Sequence, residues 1–265
     1  MKKLVFCFLF LGFIFILTGC NGNNLSKKDS LKRAEETKQI VWGVRNDVGL
    51  FGLMNIKTGK AEGFDIDIAN ALTKEILGKS GKAVFIEAAP KTRIPLLKNG
   101  NIDAIIATMT ITSERSQQVD FSDVYFDAGQ TLLVKKGSRV HSVSDLNERT
   151  KVIAAKGSTG TENIRKVAPQ AQVLEFENYS ECFTALKSGQ GEAMTADDAI
   201  LMGIASQNPG YVLTGGKFTT EPYGIAANRG QTAFVERINQ ALQKIHQNGE
   251  YDQIYNKWFG KVAQK

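Results

Sequence analysis

Two charged side chains of opposite sign follow predicted strands in different halves of the sequence. Arg115 ends the stretch 108–115, directly after a strand predicted at 104–107, and Asp197 follows a strand predicted at 192–195. A free amino acid is a zwitterion, so a guanidinium with two parallel donors suits its carboxylate and an aspartate suits its ammonium. Taken singly, Arg115 could be an exposed helix residue and Asp197 a helix N-cap. Their matching places after strands favour the binding of one amino acid.

The strands that position these two residues alternate with helices along the chain. Strands are predicted at residues 40–44, 83–86, 104–107, 151–155, 173–176 and 192–195, and helices at 65–77, 94–98, 161–167 and 179–188. Asp65 is expected to be the N-cap of the 65–77 helix. This alternation predicts the α/β class, with parallel sheets flanked by helices. Ligands bind beyond the carboxyl ends of such strands, where Arg115 and Asp197 lie.

One internal similarity suggests that the two halves are alike. Residues 96–104 (LLKNGNIDA) resemble residues 185–193 (ALKSGQGEA). In both, a helix ends at a lysine and a glycine, and an acidic residue leads into a strand. Many α/β units turn in this way, so the similarity supports two alike halves but does not prove them. It indicates that residues 108–115 and 196–198 occupy corresponding places.

A glycine-containing turn at residues 156–160 (KGSTG) precedes the predicted helix at 161–167. Ser158 and Thr159 lie where the unsatisfied N–H groups of a helix start favour an anion. The spacing of a phosphate-binding loop is absent, and an ordinary strand-to-helix turn is the alternative.

The N-terminal sequence predicts export and attachment to a membrane. A charged start and an uncharged, mostly apolar run to residue 17 predict a signal peptide over residues 1–19, because about 20 apolar residues are needed for a permanent span. The tetrapeptide LTGC ends at Cys20 and resembles a bacterial lipobox, so Cys20 is expected to carry lipid. Residues 20–38 are almost entirely polar and predict a flexible tether.

Composition excludes several classes of function. The 265 residues include 33 basic and 27 acidic residues, and the basic ones are scattered, with no arginine-rich stripe to suggest a nucleic-acid surface. Cys182 would be the one cysteine left in the exported domain, so no internal disulfide is expected. It is interpreted as a small buried apolar residue, since neither histidine suggests a Cys/His pair or a metal site. We expect no metal and no cofactor.

Eight short segments, taken in order, resemble the amino-acid substrate-binding proteins of ABC importers, the bilobed periplasmic-binding type. They are 43–47 (GVRND), 63–69 (GFDIDIA), 91–97 (KTRIPLL), 108–115 (TMTITSER), 119–122 (VDFS), 156–159 (KGST), 196–197 (AD) and 221–224 (EPYG). Each segment is weak alone, but their order and spacing are specific. The resemblance covers nearly all of residues 39–260.

The resemblance implies a type II periplasmic-binding architecture. Two lobes, each a mostly parallel sheet flanked by helices, would be joined by a hinge with two chain crossings. The first lobe would comprise residues 39–128 and 225–265, and the second lobe residues 129–224. A ligand that contacts both lobes would favour the closed form, which the membrane partner would recognise.

The resemblance also implies roles for individual residues. Arg115 would hold the α-carboxylate of the ligand and Asp197 its α-ammonium. Hydroxyl groups would add further contacts. These come from Thr108, Thr110, Ser158, Thr159 and Tyr223.

The chemistry of the ligand side chain depends on two more arginines. In the acidic-amino-acid branch of the family, Arg45 and Arg93 would hold a side-chain carboxylate. Three cations against Asp197 suit glutamate or aspartate, because a neutral ligand would leave a buried cation uncompensated. Asp65 or Asp47 could neutralise one arginine, and glutamine-binding relatives carry similar segments. Glutamate and aspartate are therefore expected first and glutamine next.

The expected function is that of a monomeric, lipid-anchored receptor on the outer side of the cell membrane, which delivers an amino acid to an ABC permease and its ATPase. Two alternatives remain. A cyclohexadienyl dehydratase-like enzyme on the same fold would need a cleft carboxylate as acid or base, and no acidic residue in the matching segments lacks another role. A surface sensor or adhesin without a transporter is the other alternative, which the chain alone does not exclude.

Overall fold

The structure is a computed structural model that describes residues 29–260. The predicted signal peptide, Cys20 and residues 20–28 of the predicted tether lie outside the described residues. The strands are β1 (Gln39–Val44), β2 (Asp47–Val48), β3 (Gly52–Asn55), β4 (Lys60–Glu62), β5 (Lys82–Glu87), β6 (Ala104–Ile105), β7 (Val119–Ala128), β8 (Gln130–Lys135), β9 (Lys151–Ala155), β10 (Gln172–Phe176), β11 (Ala193–Asp197), β12 (Tyr211–Thr214) and β13 (Glu221–Asn228). The helices are α1 (Ser30–Thr37), α2 (Phe64–Leu77), α3 (Arg93–Lys98), α4 (Ser113–Ser116), α5 (Thr159–Val167), α6 (Tyr179–Lys187), α7 (Asp198–Gln207), α8 (Thr232–Gln247) and α9 (Glu250–Phe259).

Two five-stranded sheets form the two lobes. The first has the order β5-β1-β6-β13-β7 and the second the order β10-β9-β11-β8-β12. In each sheet three strands run parallel, and the remaining two pair antiparallel beside them. A small antiparallel sheet of β2, β3 and β4 joins the first lobe. The predicted α/β class and the predicted mostly parallel sheets are confirmed.

The predicted strands and helices are also confirmed, within a few residues at their ends. The expected N-cap of the 65–77 helix is wrong. The helix begins at Phe64 with Gly63 as its N-cap, and Asp65 is a fully buried residue of its first turn. The carboxylate of Asp65 accepts hydrogen bonds from the N–H of Thr108 and the hydroxyl of Tyr125.

The chain crosses between the lobes twice, and the two crossings touch. The first crossing is Gly129, between β7 and β8, and the second comprises residues 215–220, between β12 and β13. The N–H of Gln130 donates to Thr219 Oγ1 at 3.0 Å. A Cβ atom at Gly129 would lie 2.5 Å from the carbonyl oxygen of Thr219. Because β13 starts at Glu221, the chain returns to the first sheet before the expected position 225.

The last part of the predicted tether is a helix. The residues of α1 lie within the segment that low apolar content predicted to be flexible, but its Ala34 is fully buried against the first lobe. The carboxylate of Asp29 caps the helix by accepting from the N–H of Lys32 at 3.1 Å. Arg33 forms an ion pair with Asp103. The segment of α1 is too polar to pack on its own. It is stabilised as a helix by a cap, one buried methyl group and one ion pair.

Aromatic packing fixes the strands next to the hinge. Phe51 lies edge-on to Phe126 of β7 and to Tyr223 of β13, with ring centroids 5.1 and 5.7 Å apart. Phe259 of α9 completes the cluster, with its ring centroid 5.5 Å from that of Phe51 and 5.2 Å from that of Phe126. These contacts place Tyr223 against the second lobe. Within residues 29–260, no helix has the length and apolar character needed to span a bilayer.

Candidate ligand-binding site

The candidate site lies between the lobes, beyond the carboxyl ends of parallel strands from both sheets. On the first lobe, Arg45 follows β1, and the loop from Thr108 to α4 follows β6. On the second lobe, Thr159 follows β9, and Asp197 is the last residue of β11. The two sides meet where the hydroxyl oxygens of Thr110 and Thr159 lie 3.5 Å apart.

Arg115 bridges the two lobes. The hydroxyl of Thr112 caps α4 by accepting from the N–H of Arg115 at 3.2 Å, which fixes the start of the arginine side chain. Its Nη1 donates to the carbonyl of Thr110 at 2.9 Å, and its Nη2 donates to the carbonyl of Gly157 at 3.3 Å. Burial lowers the pKa of Arg115, and the surrounding Tyr179 and Asp197 oppose this shift. A guanidinium held in this way presents a fixed cation to the cleft.

Asp197 is 4% exposed and lies at the N-cap position of α7. Its side chain makes no capping bond and instead accepts from the hydroxyl of Tyr223 at 2.5 Å. Burial, together with the charge of neighbouring Glu221, raises the pKa of Asp197 from 3.8 to about 7, while Tyr223 and Arg115 oppose this shift. Asp197 and Arg115 therefore interact electrostatically, as the sequence analysis expected of residues that share a cleft.

Arg45 is 1% exposed and is neutralised inside its own lobe. It forms an ion pair with Asp47, and its Nη1 donates to the carbonyl of Ala88 at 3.2 Å. The guanidinium carbon lies 5.4 Å from the ring centroid of Tyr179, in the second lobe, within the range of a cation–π contact. Of the two aspartates that could compensate an arginine, Asp47 compensates this one.

Arg93, at the start of α3, is 2% exposed and points inward. Its Nη1 donates to the carbonyl of Ala107 at 2.8 Å. Burial, together with the positive charges of Arg115 and Arg45, lowers the pKa of Arg93 to about 9, while Tyr179 and Asp197 oppose this shift. The three arginines named by the sequence analysis therefore share one electrostatic environment.

Thr108 has a left-handed backbone, with a φ of +47°, which is unusual for a β-branched residue and costs about 1–3 kcal/mol. Its N–H donates to Asp65 Oδ2 at 3.1 Å, and the hydroxyl of Tyr125 donates to Asp65 Oδ1 at 2.9 Å. Burial raises the pKa of Asp65 to about 7, against these two hydrogen bonds and the charges of Arg45 and Arg93. Asp65 thus positions the loop that leads to Arg115.

The turn after β9 carries a second hydrogen-bond network. The hydroxyl of Thr159 donates to Glu221 Oε2 at 2.8 Å and accepts from Nε2 of Gln130 at 2.9 Å. Ser158 donates two hydrogen bonds to the carbonyl of Ala155, from its N–H at 3.1 Å and from its hydroxyl at 2.7 Å. The turn itself therefore uses both donors of Ser158, and contact of Ser158 with a ligand stays a prediction.

Several site residues were absent from the predicted set. They are Asp47, Asp65, Gln130, Tyr179 and Glu221. Asp47, Asp65 and Glu221 lie in segments that resemble the family, whereas Gln130 and Tyr179 carry no sequence signal of their own. Among residues 29–260, three buried side-chain atoms have no hydrogen-bond partner: Nε of Arg45, Nε of Arg93 and Oε1 of Gln130.

Comparison with known families identifies the family of this chain. Residues 40–261 match the profile of the bacterial extracellular solute-binding proteins, family 3. The chain belongs to this family. It is 58% identical to the ABC transporter glutamine-binding protein GlnH of Bacillus subtilis, over 91% of this chain and 89% of the relative. It is 57% identical to a glutamine-binding protein of Geobacillus stearothermophilus, over 75% of this chain and 76% of that one.

A solved structure of similar fold extends the comparison to three dimensions. An ancestral arginine-binding protein bound to glutamine superposes with a TM-score of 0.79 at 42% identity, and the match covers 84% of this chain and 98% of that one. The family 3 fold is therefore shared along nearly the whole described chain, and the predicted family and architecture are confirmed.

Proposed function

We propose that this family 3 protein is the substrate receptor of an ABC importer and that its ligand is glutamine. The observation that carries the choice of ligand is the charge balance of the cleft. Arg45, Arg93 and Arg115 are the cations that the sequence analysis counted. Asp47, Asp65 and buried Glu221 add three negative charges to that of Asp197, so the carboxylates of the site are at least as numerous as its cations.

The two ends of the amino acid account for one pair of charges. Arg115 offers a guanidinium to the α-carboxylate, and Asp197 offers a carboxylate to the α-ammonium. These groups come from different lobes, so one ligand would hold both lobes together. Thr110 and Thr159, which approach each other across the cleft, are placed to add hydrogen bonds.

The other two arginines have carboxylates of the protein near them. Arg45 is paired with Asp47, and the positive charge of Arg93 acts on the buried carboxylate of Asp65. A ligand with a side-chain carboxylate would add an uncompensated negative charge near buried Glu221, which is costly. The sequence-based order, with glutamate and aspartate before glutamine, is therefore reversed in this proposal.

A side-chain amide suits the groups that the protein leaves unpaired. Nε of Arg93 is a donor and Oε1 of Gln130 is an acceptor, and both are buried without a partner among the described residues. An amide has one acceptor oxygen and two N–H donors, so it complements both kinds of group. The names of the relatives from Bacillus subtilis and Geobacillus stearothermophilus support the same ligand.

Calorimetric titration with the twenty amino acids tests the proposal. We expect the tightest binding for glutamine, with glutamate and aspartate at least about tenfold weaker, or about 1.4 kcal/mol. Arg115→Ala should abolish binding of every amino acid. Arg149→Ala is the matched control, because the side chain of Arg149 is 91% exposed and its ion-pair partner is the exposed neighbour Glu148. Tightest binding of an acidic or a basic amino acid would contradict the choice of glutamine.

We further propose that the protein is a monomer held on the outer side of the cell membrane by lipid on Cys20, and that a permease with its ATPase is its partner. Cys20→Ser should release the protein into the medium. Deletion of the gene should abolish high-affinity glutamine uptake; unchanged uptake would favour the sensor or adhesin alternative. Incubation with prephenate or arogenate should give no product, and any turnover would favour the enzyme alternative.

A further inference from the structure

The lobes also meet beside the cleft, through residues other than Arg115, Asp197, Thr110 and Thr159. On the first lobe this contact is made by the loop that contains Asp47, Gly49 and Leu50, and on the second by the start of α6 and by Gly203 of α7. We call these residues the closure contact.

One half of the closure contact is polar. Asp47 Oδ2 accepts from the N–H of Tyr179, the first residue of α6, at 2.7 Å. The Ser180 hydroxyl donates to the carbonyl of Asp47 at 3.5 Å. A carboxylate at a helix N-terminus interacts favourably with the partial positive charge there. Asp47 therefore binds Arg45 of its own lobe with one oxygen and the opposite lobe with the other.

The other half of the closure contact depends on glycine. A Cβ at Gly203 would lie 3.2 Å from Cγ of Leu50 and 3.4 Å from its backbone nitrogen. The three heavy atoms nearest to that Cβ all belong to Leu50, in the opposite lobe. Glycine inside a helix is less stable than alanine by about 1 kcal/mol. The nearest neighbours of a Cβ at this position therefore come from the first lobe, and at 3.2 Å the contact would be tighter than ordinary van der Waals contact.

We propose that the closure contact sets the equilibrium between the open and closed forms independently of the ligand, and so tunes ligand affinity. The inference rests on the proposed function, because closure affects affinity only in a receptor that binds its ligand between the lobes. If only the closed form binds tightly, the apparent Kd is the intrinsic Kd divided by the closed fraction. A substitution that hinders closure then weakens binding without touching the ligand.

The test replaces Gly203 with two good helix formers of different size. Gly203→Ala should weaken glutamine binding about threefold and Gly203→Leu more than about tenfold, because the larger side chain keeps the lobes further apart. The Tm of the ligand-free Gly203→Ala protein should not fall, since alanine favours α7. The control is Gly210→Ala, where a Cβ meets no atom within 4 Å. Adding Leu50→Ala to Gly203→Ala should restore part of the affinity.

The distance between the lobes gives a readout that needs no ligand. Spin labels on Ile56→Cys in the first lobe and Arg149→Cys in the second would sit at sites that are 93% and 91% exposed. In the ligand-free protein, Gly203→Leu should shift the distribution of distances between the labels to longer values than those of Gly210→Ala. An unchanged distribution would overturn the inference, as would equal glutamine affinity in all Gly203 variants. Failure of the wild type to bind glutamine would instead refute the proposed function and leave the distance test valid.

Discussion

Asp47→Asn should change which ligand the cleft prefers. The substitution keeps the size of the side chain but removes the charge that neutralises Arg45, whose side chain is 1% exposed. Removal of one partner of a buried ion pair leaves an uncompensated charge, at a cost of about 3–5 kcal/mol to the ligand-free protein. Glutamate carries a negative charge that can take the place of the lost carboxylate, whereas glutamine does not.

The size of the change in ligand preference follows from the hydrogen bond that Arg45 loses from Asp47 and can regain from glutamate. A hydrogen bond to a charged group contributes about 1.5–3 kcal/mol. Each 1.4 kcal/mol corresponds to a tenfold change, so the ratio of the Kd for glutamate to the Kd for glutamine should fall about ten- to a hundredfold. Absolute affinities should also fall, because Asp47 belongs to the closure contact. That loss applies equally to both ligands and cancels in the ratio.

The assay is calorimetric titration of both ligands into the wild type, Asp47→Asn and a control at pH 7.5. Asp67→Asn is the matched control, because the carboxylate of Asp67 binds Lys257 and Trp258, outside the cleft. The control should keep the wild-type ratio. If Asp47→Asn also keeps it within about twofold, charge balance does not determine the choice of ligand, and the reasoning from the charges of the cleft is refuted.

Three further outcomes are expected. The ligand ammonium binds the charged form of Asp197, whose pKa is about 7, so glutamine affinity measured by calorimetry should fall up to tenfold per pH unit from pH 7 to 5 and stay level above pH 8. Because the folded-state pKa values of Asp65 and Asp197 are raised from 3.8, the folded protein binds more protons than the unfolded chain between about pH 4 and 7; urea denaturation without ligand should therefore show stability falling as pH rises through that window. Arg33→Ala should lower the free energy of unfolding by about 1–3 kcal/mol, because it leaves the buried carboxylate of Asp103 without its cation, whereas Arg149→Ala should not change it.

The fold was predictable because its signals are local. Each strand and helix carries its own hydrophobic period, and the alternation of the two defines the class. The ends of β6 and β11 could be located in the same way, so the sequence alone could predict that Arg115 and Asp197 lie at the cleft. Tyr223 and Thr159 followed from short segments that resemble the family.

The remaining parts of the site depend on contacts that have no sequence period. The preference for an acidic ligand counted Arg45 and Arg93 as free cations, because nothing in the sequence tells whether Asp47 or Asp65 turns towards them. Gln130 is one residue after a hinge crossing and is recognisable only by its place in the fold. The helix α1 was predicted to be a tether, because its stability comes from a surface that lies far away in the sequence.

The contact between the two crossings has a mechanical consequence. Two separate connections that lie apart would let the lobes twist as well as open, whereas connections in contact along their length resist twisting. A Cβ atom at Gly129 would lie only 2.5 Å from the carbonyl oxygen of Thr219. Any larger residue at position 129 would therefore force the two connections apart. We therefore expect the lobes to move relative to each other mainly by opening about one axis.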